Sequence, residues 1–134
     1  MNKFVFTCGD INGIGPEIVI KTLNQITHYK TPHKFYFICP SNIFQAVALR
    51  IKPAFKYEIV NQKDQESSDI VTVINSGMAN QSIGKPTITS GKAAYKSLVL
   101  SYELLRRGEA DAVITAPISK TAIKMAEIYF SGQT

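Results

Sequence analysis

Three short segments hold most of the residues whose types and spacing could do chemistry. The first runs Cys8-Gly9-Asp10-Ile11-Asn12-Gly13-Ile14-Gly15-Pro16-Glu17. It follows an apolar run and opens a helical pattern, and open α/β sheets bind ligands in such turns, outside the carboxyl ends of their strands. Gly9, Gly13 and Gly15 permit positive φ and close approach of a backbone. The unpaired N–H groups of a helix start attract anions. Gly9, Asp10, Gly13 and Gly15 are therefore candidate ligand-loop residues. The competing reading is a tight turn whose glycines serve geometry alone.

A dinucleotide fingerprint is the obvious interpretation, and it fails in detail. Gly13-x-Gly15 is present, but Ile18 stands where a third small residue is needed, and Pro16 lacks an N–H that a pyrophosphate would use. No acid ends the second apolar run, Phe37-Ile38-Cys39-Pro40, so a ribose partner is missing. No Gly-Lys-Ser/Thr follows, which excludes a P-loop.

The second segment, Thr115-Ala116-Pro117-Ile118-Ser119-Lys120, also joins a strand pattern to a helix. Ser119 and Thr121 can cap or donate hydrogen bonds. A cation at a helix start opposes the dipole, so Lys120 is either a solvated side chain or the contact of an anionic ligand. The third, Ser90-Gly91-Lys92, poses the same choice, with the solvated reading stronger. His28 and His33 flank a turn broken by Pro32, without the spacing or third ligand of a metal site. Two histidines and no Gly-x-Ser-x-Gly elbow leave no nucleophilic triad. Cys8 at a strand end reads as a buried thiol before a reactive one.

These segments need a scaffold, and the pattern supplies one. Phe4–Phe6, Phe35–Cys39, Tyr57–Val60, Ile70–Ile74 and Ala112–Thr115 read as strands. Helices are expected from Pro16 to Ile26, from Ser41 (as cap) to Leu49, from Ser90 (as cap) to Arg107, and from Pro117 or Ile118 to Ile128. Gly108 ends the third of these. Residues 61–69 form a polar loop. Residues 75–89, rich in Gly, Asn, Ser and Pro, make a connection too long to be idle: a functional loop, a packed arm or a hidden strand. Strands alternating with helices imply an α/β fold with a parallel sheet covered on both faces.

The chain has 134 residues, of which 45% are hydrophobic and 19% charged, enough apolar mass for a core and too little charge for disorder. The net charge is +5, but only Arg106-Arg107 are adjacent cations, at a helix end where they suit the dipole. Scattered charge argues against a nucleic-acid groove. No signal peptide or bilayer-spanning run is visible, so no membrane is expected. Cys8 and Cys39, both in apolar runs, fit reduced thiols in a cytoplasmic protein.

Taken in order, the loop Gly9–Glu17, the stretch Ser90-Gly91-Lys92-Ala93-Ala94, and Asp111-Ala112-Val113-Ile114-Thr115-Ala116-Pro117-Ile118-Ser119-Lys120 resemble the PdxA family, the 4-hydroxythreonine-4-phosphate dehydrogenases of vitamin B6 biosynthesis. The first motif is shared more loosely with isocitrate and isopropylmalate dehydrogenases; the third makes the match specific. The resemblance implies an α/β/α sandwich of the isopropylmalate-dehydrogenase type, working as a homodimer. It implies NAD- or NADP-dependent oxidation of the secondary alcohol of 4-phosphohydroxy-L-threonine, with loss of carbon dioxide from the β-keto acid and a divalent metal as Lewis acid.

Two departures qualify the resemblance. Family chains are longer, and their metal-binding histidines, cofactor contacts and most phosphate-binding residues lie beyond the matching region. Residues 1–134 are thus expected to be a single incomplete α/β domain, the N-terminal part of a longer enzyme, inactive alone and with an exposed apolar edge. The family also shows Gly-His-Thr where this chain has Gly132-Gln133-Thr134. Carried over, Gln133 and Thr134 would bind the phosphorylated substrate, but glutamine cannot titrate near neutral pH. A related dehydrogenase of another phosphorylated hydroxy acid, or a stand-alone anion-binding α/β module, are the alternatives.

Overall fold

Parallel strands buried on both faces read as near-continuous apolar runs, and the central strands here do. The computed structural model describes residues 2–29, 32–61 and 69–127. Its elements are β1 (Lys3–Thr7), α1 (Gly15–Ile26), β2 (Lys34–Cys39), α2 (Ser41–Arg50), β3 (Tyr57–Val60), β4 (Val71–Asn75), α3 (Ile88–Arg106), β5 (Ala112–Ile114) and α4 (Lys120–Met125). The strands form one parallel sheet in the order β3-β4-β2-β1-β5.

The register sorts side chains by face. Phe6, Phe37 and Val73 lie side by side on β1, β2 and β4. They share a core with Val19, Ile20 and Leu23 of α1 and Ile43, Phe44 and Val47 of α2. The opposite face presents Val5, Ile38, Val60 and Ile74 to Leu104 of α3 and Ala110 behind it. Helices therefore cover both faces, with α4 packed on α3, and the architecture is the anticipated α/β/α sandwich.

The helix starts depart from the expected ones. Thr87, not Ser90, caps α3: its hydroxyl accepts from the Ser90 N–H at 3.0 Å, and the Ser90 hydroxyl accepts from the Thr87 N–H at 3.0 Å, a capping box closed by two hydroxyls. Ser41 is the first residue of α2 rather than its cap; its N–H donates to Asn75 Oδ1 at 2.9 Å. The last helix begins at Lys120, later than Pro117 or Ile118, because Ser119 caps it through the Ala122 N–H at 3.1 Å. It ends at Met125, capped by Ala126, short of the expected Ile128.

The long connection after β4 contains no strand. It is an arm laid across the carboxyl ends of β2 and β1. Asn42 holds it by a two-way amide bond with Ala79, at 2.7 and 3.2 Å. Further along, Gln81 donates to Ile11 O at 2.8 Å, and Asn12 binds the segment from Ser82 to Thr87.

Among the described residues β5 pairs with β1 alone, so its other edge is open. Beside it an apolar hollow of about 290 Å³ is lined by Phe4, Phe6, Ile26, His33, Phe35 and Ile114. An open strand edge next to apolar surface is a template for association. The 134-residue chain is therefore expected to self-associate, and Ile114→Lys to shift it toward monomer without lowering its melting temperature. Analytical ultracentrifugation reads this; a wild-type chain that stays monomeric at high micromolar concentration refutes it.

Candidate functional site

Three of the singled-out segments meet at the carboxyl edge of the sheet. The loop after β1 and the loop after β5 are latched together: Asp10 N–H donates to Pro117 O at 2.8 Å, and Ala116 N–H donates to the Thr7 hydroxyl at 3.1 Å. Gly9 has φ +62°, and a Cβ there would overlap the Pro117 carbonyl oxygen. A Cβ on Gly15 would overlap Cys8 O, and one on Gly13 would sit 2.8 Å from Asp10 Oδ2. The loop's glycines thus make room for the chain's own backbone and for the Asp10 carboxylate.

Asp10 is half-buried, and its Oδ1 accepts from the Asn12 N–H at 3.0 Å, an Asx turn that sets the loop's curvature. The start of α1 carries no side-chain cap, has Pro16 in its first turn, and already has an acid there, Glu17, which pairs with Arg50 at 3.3 Å. This is not a pyrophosphate cradle. Asn12, which sequence reasoning did not single out, is the best-connected residue of the loop. It is 1% exposed, donates to Lys85 O at 2.9 Å and Thr87 Oγ1 at 3.3 Å, and accepts from Ser82 N–H at 2.8 Å.

Lys120 is exposed at the first position of α4, and among the described residues it has no ion pair. A Cβ on Gly91 would overlap Ala122 O, so Gly91 lets α3 pack close against α4. Gln133 and Thr134 lie outside the described residues. Among the described residues no three His, Cys, Asp or Glu side chains group as metal ligands. His28 is exposed, and His33 packs edge-on against Phe4, centroids 5.3 Å apart.

Behind the loop, Cys8 and Cys39 are free and fully buried at the ends of β1 and β2. The Ser97 hydroxyl joins these strand ends, accepting from Cys8 N–H at 3.1 Å and donating to Ile38 O at 2.9 Å. Burial, and then the neighbouring Cys8, push the Cys39 thiol well above the usual range. In the unfolded chain that thiol ionises near about pH 8.5, while the folded one keeps its proton. Stability from this group is thus complete below that pH and falls as pH rises through it. Urea midpoints between about pH 8 and 10 should drop more steeply for the native chain than for Cys39→Ala; parallel slopes would contradict the burial argument.

Comparison with known proteins adds a family. A family model described as pyridoxal phosphate biosynthetic protein PdxA matches residues 30–134. A 4-hydroxythreonine-4-phosphate dehydrogenase of Bacteroides thetaiotaomicron is 31% identical over 131 residues, 96% of this chain and 35% of that protein. A Clostridium botulinum relative named for D-threonate 4-phosphate dehydrogenase activity is 28% identical over 131 residues, 94% of this chain and 39% of its own. The solved 4-hydroxythreonine-4-phosphate dehydrogenase of Klebsiella pneumoniae superimposes with a TM-score of 0.84 at 25% identity, over 99% of this chain and 42% of that one. This chain spans 35% to 40% of the length of the curated relatives it matches. No described helix is long and apolar enough to cross a membrane.

Proposed function

Because this chain belongs to the PdxA family of pyridoxal phosphate biosynthetic proteins, we propose that the whole protein is a dehydrogenase of 4-phosphohydroxy-L-threonine. The family match over residues 30–134 carries this reading, and the relative from Bacteroides supports it. The reaction is oxidation of the secondary alcohol by NAD or NADP and decarboxylation of the resulting β-keto acid. NAD or NADP, when bound, would supply the hydride acceptor, and a divalent cation would supply Lewis-acid stabilisation of negative charge on oxygen. A cytoplasmic homodimer belongs to the same reading.

The described residues supply neither a metal-ligand group nor a pyrophosphate cradle, since Gly9 and Gly15 face the chain's own carbonyls. Both groups would be held mainly by residues this chain lacks. This chain contributes the substrate side of the cleft. Gln133 and Thr134, with Lys120 as an anion contact, would bind the phosphorylated substrate. The loop of Gly9, Asp10, Gly13 and Gly15 would shape one wall, held in place by its bond to Pro117. With glutamine at 133, that position binds by hydrogen bonding and takes no part in proton transfer.

The test joins residues 1–134 to the C-terminal part of the Bacteroides relative and follows reduced nicotinamide from 4-phosphohydroxy-L-threonine. Turnover by the chimaera, abolished by a chelator and absent from residues 1–134 alone, is the expected result. A folded, metal-loaded chimaera that leaves this substrate untouched defeats the assignment. The name of the Clostridium relative, together with Gln133, favours a second substrate, D-threonate 4-phosphate, which the same assay compares directly.

A further inference from the structure

The stretch Ser90-Gly91-Lys92 acquires a setting in the fold that the dehydrogenase reading does not use. Between the start of the arm and the first turns of α3 lies a cavity of about 240 Å³. Ser76 and Gly77 line one side; Thr89, Lys92 and Lys96 line the other; Pro40, Ala79 and Ala93 supply apolar wall. Among the described residues no acidic one lines it, and α3 has none in its first turn. Lys92 and Lys96 are one turn apart on α3, so their charges repel each other. Among the described residues neither lysine has an ion pair.

A second observation points the same way. Ser76, which lines the cavity, is 6% exposed, and its buried hydroxyl has no hydrogen-bond partner among the described residues. A buried polar group is normally satisfied; a serine hydroxyl turns about one bond and can face the cavity. Gly77 has φ +122°, and the Lys96 ammonium lies 3.5 Å from where its Cβ would stand. That distance is ordinary contact, and it places the Lys96 ammonium beside Gly77 at the cavity.

We propose that this cavity binds the phosphate group of a small phosphorylated metabolite, through Lys92, Lys96 and the hydroxyls of Ser76 and Thr89. Two ammonium groups and two hydroxyls match a dianionic, tetrahedral oxyanion better than a planar carboxylate. The volume exceeds that of phosphate alone, and the apolar wall takes a short carbon body. The inference does not depend on the dehydrogenase reading.

The test titrates the 134-residue chain with inorganic phosphate, glycerol 3-phosphate and acetate at constant ionic strength, following backbone amide resonances. Saturable shifts at Gly77, Thr89 and Lys92 with both phosphates, and none with acetate, are expected. Glycerol 3-phosphate binding tighter than inorganic phosphate identifies an esterified ligand; the reverse order identifies the free ion and overturns the metabolite. Lys92→Gln/Lys96→Gln should weaken binding at least about tenfold. Ser76→Ala should weaken it severalfold, and Lys56→Gln, exposed at the amino edge of the sheet, should not. Shifts that grow linearly without saturation, or an affinity that the double variant changes by less than about twofold, overturn the site.

Discussion

Gly9→Ala is expected to cost about 2–5 kcal/mol, enough at the upper end to unfold a chain of marginal stability. Two terms add. The residue holds φ +62°, a left-handed conformation that costs a side-chain-bearing residue about 1–2 kcal/mol. The added methyl would overlap Pro117 O and sit 3.0 Å from the Ala116 carbonyl carbon and Cβ, an overpacking of backbone that cannot swing aside, worth about 1–3 kcal/mol. Relief would require the β5 loop to withdraw, which breaks the Asp10–Pro117 bond of 2.8 Å. Gly108 separates the terms. It has φ +74° with nothing among the described residues within 4 Å of its Cβ position, so Gly108→Ala should cost only the conformational part, about 1–2 kcal/mol. Urea denaturation compares the two variants. If they lose the same stability, the close packing at Gly9 is not what the residue is for.

That glycine also marks where the sequence stops being sufficient. The element pattern was legible because each strand is a short apolar run and each helix a 3.6-residue period, both local signals. The sheet order β3-β4-β2-β1-β5 is not local; it depends on which runs pair across the chain. Caps went astray for a related reason. Thr87, Thr89 and Ser90 crowd one helix start, and any of these hydroxyls could serve. Asn75, thirty-four residues away, takes the Ser41 N–H, which no reading of Ser41's neighbours reveals. On α1 Ile18 is 37% exposed while Val19, Ile20 and Leu23 are buried, so hydrophobic residue type alone does not mark the buried face.

The candidate site divides the same way. Placing the glycine loop at a strand tip needed only the order of apolar run, glycines and helix. What the glycines meet depends on residues 116–117, more than a hundred positions on. Ser76 and Lys96 drew no attention in the sequence, because a serine in a polar stretch and a lysine on a helix are ordinary. Their proximity exists only once the arm folds back on α3. Asn12 gave one faint signal: an amide beside a buried isoleucine, in a loop with too few local partners for it.

Asn12→Ala tests whether that amide is the clasp of the arm. The side chain makes three hydrogen bonds, two donated to Lys85 O and Thr87 Oγ1 and one accepted from Ser82 N–H. Ser82 and Lys85 are exposed, so water can replace the lost partner there, and each bond is worth its net value of about 1 kcal/mol rather than the full penalty of a stranded group. The expected global cost is therefore about 2–3 kcal/mol. The local effect is larger in kind. Without the amide, the tie of residues 82–85 to the loop among the described residues is the Gly84 N–H to Asn12 O bond of 2.7 Å. Exchange of the Ser82 and Gly84 amides should accelerate by about one to two orders of magnitude. Residues 76–79 should not follow, because Asn42 grips Ala79 independently. The cavity beside Ser76 would then keep its shape while the glycine loop loses its cover. Hydrogen exchange resolved by residue distinguishes the two clamps. Acceleration that spreads evenly from 76 to 87 would mean the arm is held as one cooperative unit, and Asn12 would lose its separate role.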